Sequence, residues 1–381
     1  MSIYAEACAL APELTRWRRH LHQHAEGAYD LDGTLAFIHQ VLDEAGVAYS
    51  EPCPSALVAE IGEGAPGMML RADMDALPMK EESGLDFASV TDYAHTCGHD
   101  FHTAMLLGAA VLLKRHEAAL THRTRLIFQP DEEGGSGAKY LLDHGVLNAD
   151  AAGAFALHMS PTQDSGVLYY QDGALYTSAD EFLVTVKGKS AHGAAPHTGI
   201  DPVFAAVQIY NAMQGLISRE TPPQETAVLS LCTISGGKAF NVVPDSAIIR
   251  GTIRTYSEAV RNQLKTRARE VALAVGGAFH CDIDFHFVTE VPVVNNDAAL
   301  NAQLLTQMRA DDVTLAEQPQ PFSWSEDFSF FGSVVPAVMM TLGAHVDGCT
   351  SNIHNADVLF DERALPIGAA AHVLAALSVE K

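Results

Sequence analysis

Several common features are missing from this chain of 381 residues, and each absence excludes a class of protein. The six cysteines form no CxxC pair and no tight cluster, which argues against a disulfide framework and favours reduced thiols. The longest apolar stretch, residues 104–113, is about half as long as a membrane span requires. The N-terminal segment has no uninterrupted apolar core and is untypical of a signal peptide. We therefore expect a soluble, cytoplasmic protein.

Basic residues are also scarce. Lysine and arginine number 23 against 47 aspartates and glutamates, which gives a formal net charge of −24. This charge argues against binding to nucleic acid or to an anionic membrane, because both would be repelled. An anionic small molecule remains possible, since a local arginine can override the overall field. The composition of the whole chain, 48% hydrophobic and 18% charged, is typical of a globular protein with a sizeable core, and the length suggests two or three domains.

Strand and helix patterns alternate in most of the chain and predict an α/β fold with a largely parallel central sheet flanked by helices. The predicted helices cover residues 12–24, 33–46, 99–115, 138–145 and 298–309, and the strands cover 55–64, 68–78, 123–130, 151–159 and 334–342.

A different pattern begins near residue 180. A strand at 181–188, a helix at 201–218, strands at 226–234 and 246–255, a helix at 257–275 and a strand at 279–287 follow one another. This β-α-β-β-α-β order is typical of a split ferredoxin-like unit. We therefore predict an inserted α+β domain over residues 180–292, within a discontinuous domain formed by residues 1–179 and 293–381.

Six side chains that can bind a divalent metal ion lie beside glycines or directly after apolar runs. They are Cys97 and His99 in TCGHDFHT, Glu132 and Glu133 in FQPDEEGG, His158 in FALHMS and His354 in SNIHNAD. Thiolate, imidazole and carboxylate are the ligand set of zinc and similar ions. Adjacent carboxylates at a strand end diverge, so one can bind metal while its neighbour acts as a general base toward a metal-activated water. The pattern predicts a hydrolase.

Each of these signals is weak alone. A Cys-x-His pair is more often structural, an acidic pair is more often a solvated turn, and a lone histidine is more often a satisfied core residue. Several of the 18 histidines must be structural, and we assign that role to His20, His22, His24, His102, His122 and His144. The metal-site prediction therefore depends on the candidate ligands meeting at one place.

The inserted domain carries further candidates. His192 and His197 lie in the glycine-rich segment KGKSAHGAAPHTGIDP, Asn241 lies in GGKAFNVVPD, and Arg254 lies in the strand GTIRT. An amide and a guanidinium would suit a substrate carboxylate, and arginine can pair with it through two hydrogen bonds. The alternative for Arg254 is an ordinary surface arginine.

Six motifs, in the same order along nearly the whole chain, resemble those of the metal-dependent aminoacylase and carboxypeptidase family. They are LRADMDALPMKEE, TCGHDFHTAMLLGAA, FQPDEEGGSGA, GKSAHGAAPHTGIDP, GGKAFNVVPD and WSEDFSFF. Within that family they are similar to the amidohydrolase branch, which includes hippurate hydrolase, auxin-conjugate hydrolases and N-acetyldiaminopimelate deacetylase. The resemblance implies a catalytic α/β domain with an inserted lid and dimerisation domain, in agreement with the predicted division.

The resemblance also implies a role for each candidate residue. Two divalent metal ions per subunit would be bound by Cys97, His99, Glu133, His158 and His354. Glu132 would be the general base, and Asp75 would support the site from beside it. His192 would stabilise the oxyanion of the transition state, often from the partner subunit, while Asn241 and Arg254 would hold the carboxylate of the amino-acid half.

The reaction implied by the resemblance is hydrolysis of an N-acyl amino acid by a homodimer or larger oligomer. A cysteine ligand favours zinc, with manganese, cobalt and nickel as alternatives. A dipeptidase or carboxypeptidase with the same machinery is the nearer alternative function. A non-catalytic descendant that binds a metal or small ligand is another, but it would have no need of the unligated base Glu132. A structural zinc protein fits least, because such sites usually close around four ligands.

Three residues depart from the family's usual pattern. Ala25 and Ala356 stand where proline is common, and Asp131 stands where alanine is usual. The first two changes affect loop stiffness more than chemistry. Asp131 would either raise the pKa of the neighbouring base or point to solvent. No proposed ligand is lost, so these departures bear on substrate preference and not on reaction type.

Overall fold

The computed structural model describes residues 2–379, which divide into two compact units. The first, here called the sheet unit, comprises residues up to 175, residues 295–320 and residues from 327 onward. The second, here called the inserted unit, comprises residues 176–294 and 321–326. These breaks lie close to the expected bounds at 179/180 and 292/293. The catalytic and lid roles of the two domains remain predictions.

Residues 321–326 group with the inserted unit, whereas the sequence predicted that everything after residue 292 returns to the first domain. The backbone N–H of Thr177 donates to the carbonyl of Trp324 at 3.0 Å, and Tyr176 forms a β-bridge with Phe322. The segment therefore runs alongside the first residues of the inserted unit. A pairing between residues so far apart in the chain has no local sequence signal.

The helices and strands agree with most of the predicted elements. The helices are α1 (Ile3–Ala9), α2 (Ala11–Gln23), α3 (Asp32–Ala45), α4 (His99–Arg115), α5 (Gly137–Asp143), α6 (Pro202–Gly215), α7 (Glu258–Ala278), α8 (Ala298–Ala310), α9 (Ser329–Gly332) and α10 (Leu365–Leu377). The strands are β1 (Tyr49–Cys53), β2 (Ala56–Ile61), β3 (Pro66–Asp73), β4 (Arg123–Gln129), β5 (Gly153–Ser160), β6 (Leu168–Tyr170), β7 (Gly173–Tyr176), β8 (Ala179–Lys187), β9 (Ala191–His192), β10 (Ala227–Gly236), β11 (Val242–Val243), β12 (Ser246–Thr255), β13 (Asp282–Val291), β14 (Val294–Asn296), β15 (Leu315–Glu317) and β16 (Ala337–Gly343). Every predicted helix has a counterpart whose ends differ by a few residues at most.

The sheet unit is built on an eight-stranded sheet of order β1-β2-β4-β3-β5-β16-β6-β15. The four central strands β4, β3, β5 and β16 run parallel, and antiparallel neighbours flank them on both sides. Both β5 and β16 are buried along their whole length, as parallel strands are when both faces of the sheet are covered. The predicted α/β fold with a largely parallel central sheet is confirmed.

Helices α4 and α10 are apolar on almost all sides and lie buried in the sheet unit. Glycines let neighbouring helices approach closely. A Cβ added at Gly108 of α4 would lie 2.5 Å from Cδ2 of Leu14 in α2 and 3.1 Å from Cβ of Ala369 in α10, and one added at Gly368 of α10 would collide with Sδ of Met105 in α4. This packing holds α4 in place, and with it His99, its first residue.

Within residues 2–379, no helix combines the length and apolar character needed to span a membrane.

The inserted unit has a four-stranded antiparallel sheet of order β10-β12-β8-β13, with α6 and α7 packed on one face. Its chain order matches the predicted β-α-β-β-α-β pattern. The side chain of Asp201 caps α6 by accepting the N–H groups of Val203 and Phe204, as its Asp-Pro start predicts. The last strand starts at Asp282, later than predicted, because the N–H groups of Phe279, His280 and Cys281 donate back to Gly276 and Gly277 and close the end of α7.

Candidate active site

The candidate site forms in the sheet unit, at the carboxyl ends of the parallel strands β3, β4 and β5. β3 leads into Asp75, β4 leads into Glu132 and Glu133, and β5 carries His158 near its end. The carboxyl ends of neighbouring parallel strands share one edge of the sheet, which is where α/β folds place ligand sites. Helix α4 begins at the same edge with His99.

His99 and His158 are both oriented as metal-binding histidines usually are. The Nδ1–H of His99 donates to the carbonyl of Asp75 at 2.7 Å, and that of His158 donates to the carbonyl of Met159 at 2.8 Å. Each bond holds a proton on Nδ1 and leaves Nε2 as the atom that can ligate a metal, the arrangement found where histidines bind metals. Among residues 2–379, no group forms a hydrogen bond with the buried Nε2 of His99.

The five side chains predicted as ligands come together in two overlapping groups. The ligand atoms of Cys97, His99 and His158 lie within 4.8 Å of one another, and so do those of Cys97, Glu133 and His354. The Sγ of Cys97 is 3.5 Å from Nε2 of His158. The Nε2 of His354 is 3.4 Å from Oε2 of Glu133. Because Cys97 belongs to both groups, the five residues form one continuous cluster.

Glu132 lies at the edge of this cluster. Its Oε2 is 3.9 Å from Nε2 of His99, while Oε1 of Glu133 is 3.8 Å from the same atom. The backbone N–H of Asp327 donates to Oε1 of Glu132 at 3.5 Å. The side chain of Glu132 is 11% exposed, whereas that of His99 is fully buried. The carboxylate therefore stands beside the cluster with access to solvent.

Asp75 holds the loop that carries both glutamates. Its Oδ1 accepts the backbone N–H of Glu132 at 3.0 Å, and its Oδ2 accepts that of Glu133 at 3.1 Å. Through its own carbonyl it also accepts the proton of His99. The residue is 1% exposed, so these bonds are shielded from water. One aspartate thereby positions three of the predicted site residues.

The electrostatics of the cluster favour an added cation. Burial would lower the pKa of His99, but the carboxylates of Asp73, Asp75 and Glu133 raise it to about 10. Burial would likewise raise the pKa of Glu133, but a hydrogen bond with His354 and the charge of His99 lower it. A buried histidine that its neighbours hold protonated marks a place where a divalent cation can replace protons.

A layer behind the ligands was not predicted from the sequence. The Nδ1–H of His102 donates to Oδ1 of Asp73 at 2.5 Å, and its Nε2 accepts the N–H of Met159 at 2.9 Å. Both ring nitrogens of His102 are thus engaged, in agreement with its assignment as a structural histidine. Burial would raise the pKa of Asp73, but Arg71, with Nη1 at 2.9 Å, and the histidines hold it well below its usual range. The position of Asp73, two residues before Asp75 in RADMDALP, was the available signal.

One of the two expectations for Asp131 was that its side chain points to solvent, and the structure does not show this. It is 8% exposed, and Oγ of Ser136 donates to its Oδ2 at 2.6 Å. Burial and the negative charge of Asp75 raise the pKa of Asp131, against the hydrogen bond from Ser136. Its backbone lies in the left-handed region with φ 53°, which aspartate tolerates better than most residues. An effect of Asp131 on the base remains a prediction.

The other predicted residues lie in the inserted unit, where two of them are neighbours. β9 pairs with β11 so that His192 faces Val242, and the N–H of Gly193 donates to the carbonyl of Asn241 at 2.7 Å. The N–H of Ala194 donates to Nδ1 of His192 at 3.1 Å, which leaves the proton of the neutral ring on Nε2. His192 and Asn241 are both exposed.

Arg254 lies on β12, opposite Val228 of β10. Its Nη1 donates to Oγ1 of Thr252 at 2.7 Å. Burial lowers the pKa of Arg254, and the nearby carboxylates of Glu181 and Asp180 oppose that shift. A partly buried guanidinium of this kind is a stronger candidate for binding an anion than an ordinary surface arginine.

Comparison with known proteins identifies the family. The sequence profile of peptidase family M20/M25/M40 matches residues 69–378. The chain belongs to this family. Thermostable carboxypeptidase 2 of Saccharolobus solfataricus is 35% identical over 370 residues, which covers 94% of this chain and 93% of that protein. N-acetyl-L-cysteine deacetylase of Bacillus subtilis is 36% identical over 364 residues, which covers 93% of this chain and 85% of that protein.

A solved structure from the M20 family supports the same conclusion. A dinuclear metal-binding peptidase of Bacillus subtilis matches with a TM-score of 0.83 and 30% sequence identity, covering 97% of this chain and 98% of that one. The protein is therefore an M20 hydrolase that acts on amide bonds, and the predicted family, fold class and enzyme class are confirmed.

Proposed function

We propose that this M20 enzyme hydrolyses N-acyl amino acids to a carboxylic acid and a free amino acid. The observation that carries the proposal is the convergence of five candidate ligand side chains, one of them the buried imidazole of His99, with one further carboxylate, Glu132, beside them. A relative of similar length is named a deacetylase of an N-acetylated amino acid. Cleavage of such a substrate needs one hydrolytic centre and one group that holds a carboxylate.

The metal part of the proposal is a pair of divalent ions held by Cys97, His99, Glu133, His158 and His354. The Nδ1–H donations of His99 and His158, which leave Nε2 of each ring as its ligating atom, support this role. The thiolate favours zinc, and manganese, cobalt and nickel are alternatives. When bound, such ions would lower the pKa of a water molecule and polarise the substrate carbonyl.

In the proposed reaction, Glu132 removes a proton from the attacking water while the oxygen of that water bonds to the amide carbon. Glu132 then delivers that proton to the amide nitrogen as the carbon–nitrogen bond breaks. Asp75 keeps Glu132 in place through its backbone. The Nε2–H of His192 would donate to the oxyanion, since its Nδ1 already accepts a hydrogen bond. Asn241 and Arg254 would hold the substrate carboxylate.

The enzyme is proposed to act as a homodimer or larger oligomer through the inserted unit. Phe204 and Val207 of α6 are 51% and 42% exposed. β10 is an edge strand of its sheet, and Val228 and Ile234 on it are 47% and 39% exposed. Exposed apolar side chains and an unpaired strand edge are typical of surfaces that pair with another chain. We further propose a cytoplasmic location, supported by a cysteine pattern without a CxxC pair or a tight cluster.

A carboxypeptidase or dipeptidase activity is the second candidate. A relative named a thermostable carboxypeptidase is 35% identical along nearly the whole chain. Both reactions break an amide bond next to an amino acid whose carboxylate is free. They differ in the group on the other side, which is an acyl chain in one case and an amino acid in the other.

A substrate panel tests the proposal. Purified enzyme with zinc or manganese would be assayed for newly released amino groups from N-acetyl, N-benzoyl and longer N-acyl amino acids, from dipeptides, and from N-acyl amino-acid amides whose carboxylate is blocked. We expect chelator-sensitive release from the acyl amino acids and little from the blocked amides. Release from dipeptides alone would replace the proposal with the peptidase alternative.

Glu132→Gln tests the assignment of the base. The variant should bind metal as the wild type does and lose turnover by roughly 100- to 10,000-fold, because general-base catalysis contributes about that much. Metal content by mass spectrometry and kcat on an N-acyl amino acid measure the two effects. Activity within a few-fold of the wild type would show that Glu132 is not the base.

A further inference from the structure

The side chain of Asp327 is a buried acceptor in the sheet unit with no role assigned so far. It lies in the motif WSEDFSFF and is 1% exposed. Its Oδ1 accepts from Nη2 of Arg71 at 2.9 Å and from Nε2 of Gln129 at 2.8 Å. Its Oδ2 accepts from Nε2 of Gln129 at 2.9 Å and from the backbone N–H of Ala138 at 2.8 Å. All of these partners are hydrogen-bond donors.

The two donors Gln129 and Ala138 stand at opposite ends of the loop that carries Glu132 and Glu133. Gln129 is the last residue of β4, and Ala138 is the second residue of α5. Ser136, which precedes α5, makes no side-chain capping bond, so Asp327 supplies the missing acceptor for that helix start. One buried carboxylate therefore ties together both ends of loop 130–136.

The same residue also contacts the candidate base. The backbone N–H of Asp327 donates to Oε1 of Glu132 at 3.5 Å. Asp75 holds Glu132 through its backbone N–H, whereas Asp327 approaches its side-chain carboxylate. The two aspartates thus constrain different parts of the same glutamate.

We propose that Asp327 is a positioning residue for the general base Glu132. Its carboxylate sets the ends of the loop, which places its own N–H against the Glu132 carboxylate. The proposal rests on the proposed function, in which Glu132 moves the proton. It assigns no contact with the substrate to Asp327.

A contact through Arg71 requires that metal binding be measured separately. Nη1 of Arg71 lies 2.9 Å from Oδ2 of Asp73, and the same oxygen lies 3.5 Å from Nε2 of His99. Loss of Asp327 could therefore reach a ligand as well as the base. Metal content distinguishes these two effects. It falls if the loss of Asp327 disturbs the ligand His99, and it stays unchanged if only the base Glu132 is displaced.

Asp327→Asn is the principal variant because an asparagine has the same shape but cannot accept at both positions. Its NH2 group would face Nε2 of Gln129 together with either Arg71 or the N–H of Ala138, so donors would oppose donors. We expect kcat to fall roughly 10- to 100-fold, since a small misplacement of a catalytic group has effects of about that size. KM should stay within about 3-fold, because in the proposed scheme Glu132 acts mainly in the transition state.

The matched control is Asp311→Asn. Asp311 accepts the backbone N–H groups of Ile3 and Tyr4 at 3.1 and 2.6 Å and belongs to no part of the candidate site. It should lower the melting temperature without changing kcat. Steady-state kinetics on an N-acetyl amino acid, metal content and thermal unfolding would be measured for both variants, at a temperature where both are folded.

A second variant and a double mutant make the outcome decisive. Gln129→Leu is the test to use if Asp327→Asn does not fold. It removes one of the hydrogen-bond partners of Asp327 while the Arg71 contact remains, and it should lower kcat by a smaller factor than that expected for Asp327→Asn. In a Glu132→Gln background, Asp327→Asn should reduce the residual rate by less than about 3-fold, because the group it positions is already lost. An unchanged kcat at full metal content, or a fall in step with metal content, would overturn the positioning role. If Glu132→Gln itself kept activity, the assignment of Glu132 as the base in the proposed function would fail instead.

Discussion

Replacement of Asp75 by asparagine removes the charge on which the glutamate loop depends. In the wild type, the two oxygens of Asp75 accept the backbone N–H groups of Glu132 and Glu133 at 3.0 and 3.1 Å. An asparagine offers one oxygen and one NH2 group. It can therefore satisfy one of these N–H groups, while the NH2 group faces the other one as a second donor.

The structure allows the size of the effect to be worked out. Asp75→Asn loses one hydrogen bond to a charged acceptor, worth about 1.5–3 kcal/mol, and weakens the other. Because the residue is 1% exposed, the abandoned N–H is not solvated and adds a penalty of about 1–3 kcal/mol that overlaps with the first. We expect the free energy of unfolding to fall by about 2–4 kcal/mol.

Urea unfolding of chelator-treated protein would measure this loss without the contribution of bound metal. Asp297→Asn is the control, because Asp297 caps α8 by accepting one N–H, that of Leu300 at 2.8 Å, away from the site. That cap should contribute about 1 kcal/mol. The Asp75 variant should also have lower metal affinity and kcat, whereas the control should have neither change. A loss below about 0.5 kcal/mol with full activity would refute the role given to Asp75.

Two further predictions concern packing and pH. Gly108→Ala should lower the free energy of unfolding by about 1–3 kcal/mol, because the added Cβ would lie 2.5 Å from Cδ2 of Leu14. Urea unfolding measures this loss, and a smaller loss would show that α4 can shift to make room for the methyl group. Burial would raise the pKa of Glu81, but hydrogen bonds from His22, Ser83 and Ser89 lower it to about 2. Its stabilisation, at most about 3 kcal/mol, is therefore present above the unfolded-state pKa and is lost as the pH falls toward 2. Glu81→Gln should reduce stability at pH 6 and have little effect near pH 2, and an equal loss at both would contradict the shift.

The elements that the sequence predicted are those with a periodic pattern or clear ends. α4 was predicted at its observed bounds, because it follows a glycine and ends in charged residues. The C-terminal helix α10 was missed because LPIGAAAHVLAAL is apolar all round and shows no amphipathic stripe. β6 and β15 were missed because three-residue strands carry no detectable alternation.

The ligand motifs were visible in the sequence because each is local. Cys97 and His99 share one short segment, and the two glutamates are adjacent. The hydrogen bonds among Arg71, Gln129 and Asp327 were not visible in the sequence. These residues are far apart in the chain and come together only in the folded sheet unit. The parallel pairing of β3 with β4 brings the first two together.

Glu132 and Glu133 point to different places because they lie in a turn, and not because they alternate along a strand as the sequence suggested. Alternation along a strand was expected to send the two side chains apart, but β4 ends at Gln129 and the glutamates lie in a turn closed by the N–H of Gly135 donating to the carbonyl of Glu132 at 2.7 Å. In an extended strand, successive N–H groups point to opposite sides and could not both reach the carboxylate of Asp75. Because the turn points both N–H groups the same way, one aspartate fixes the backbone of both residues. The side chains are then free to differ, and one approaches His354 while the other remains beside the cluster.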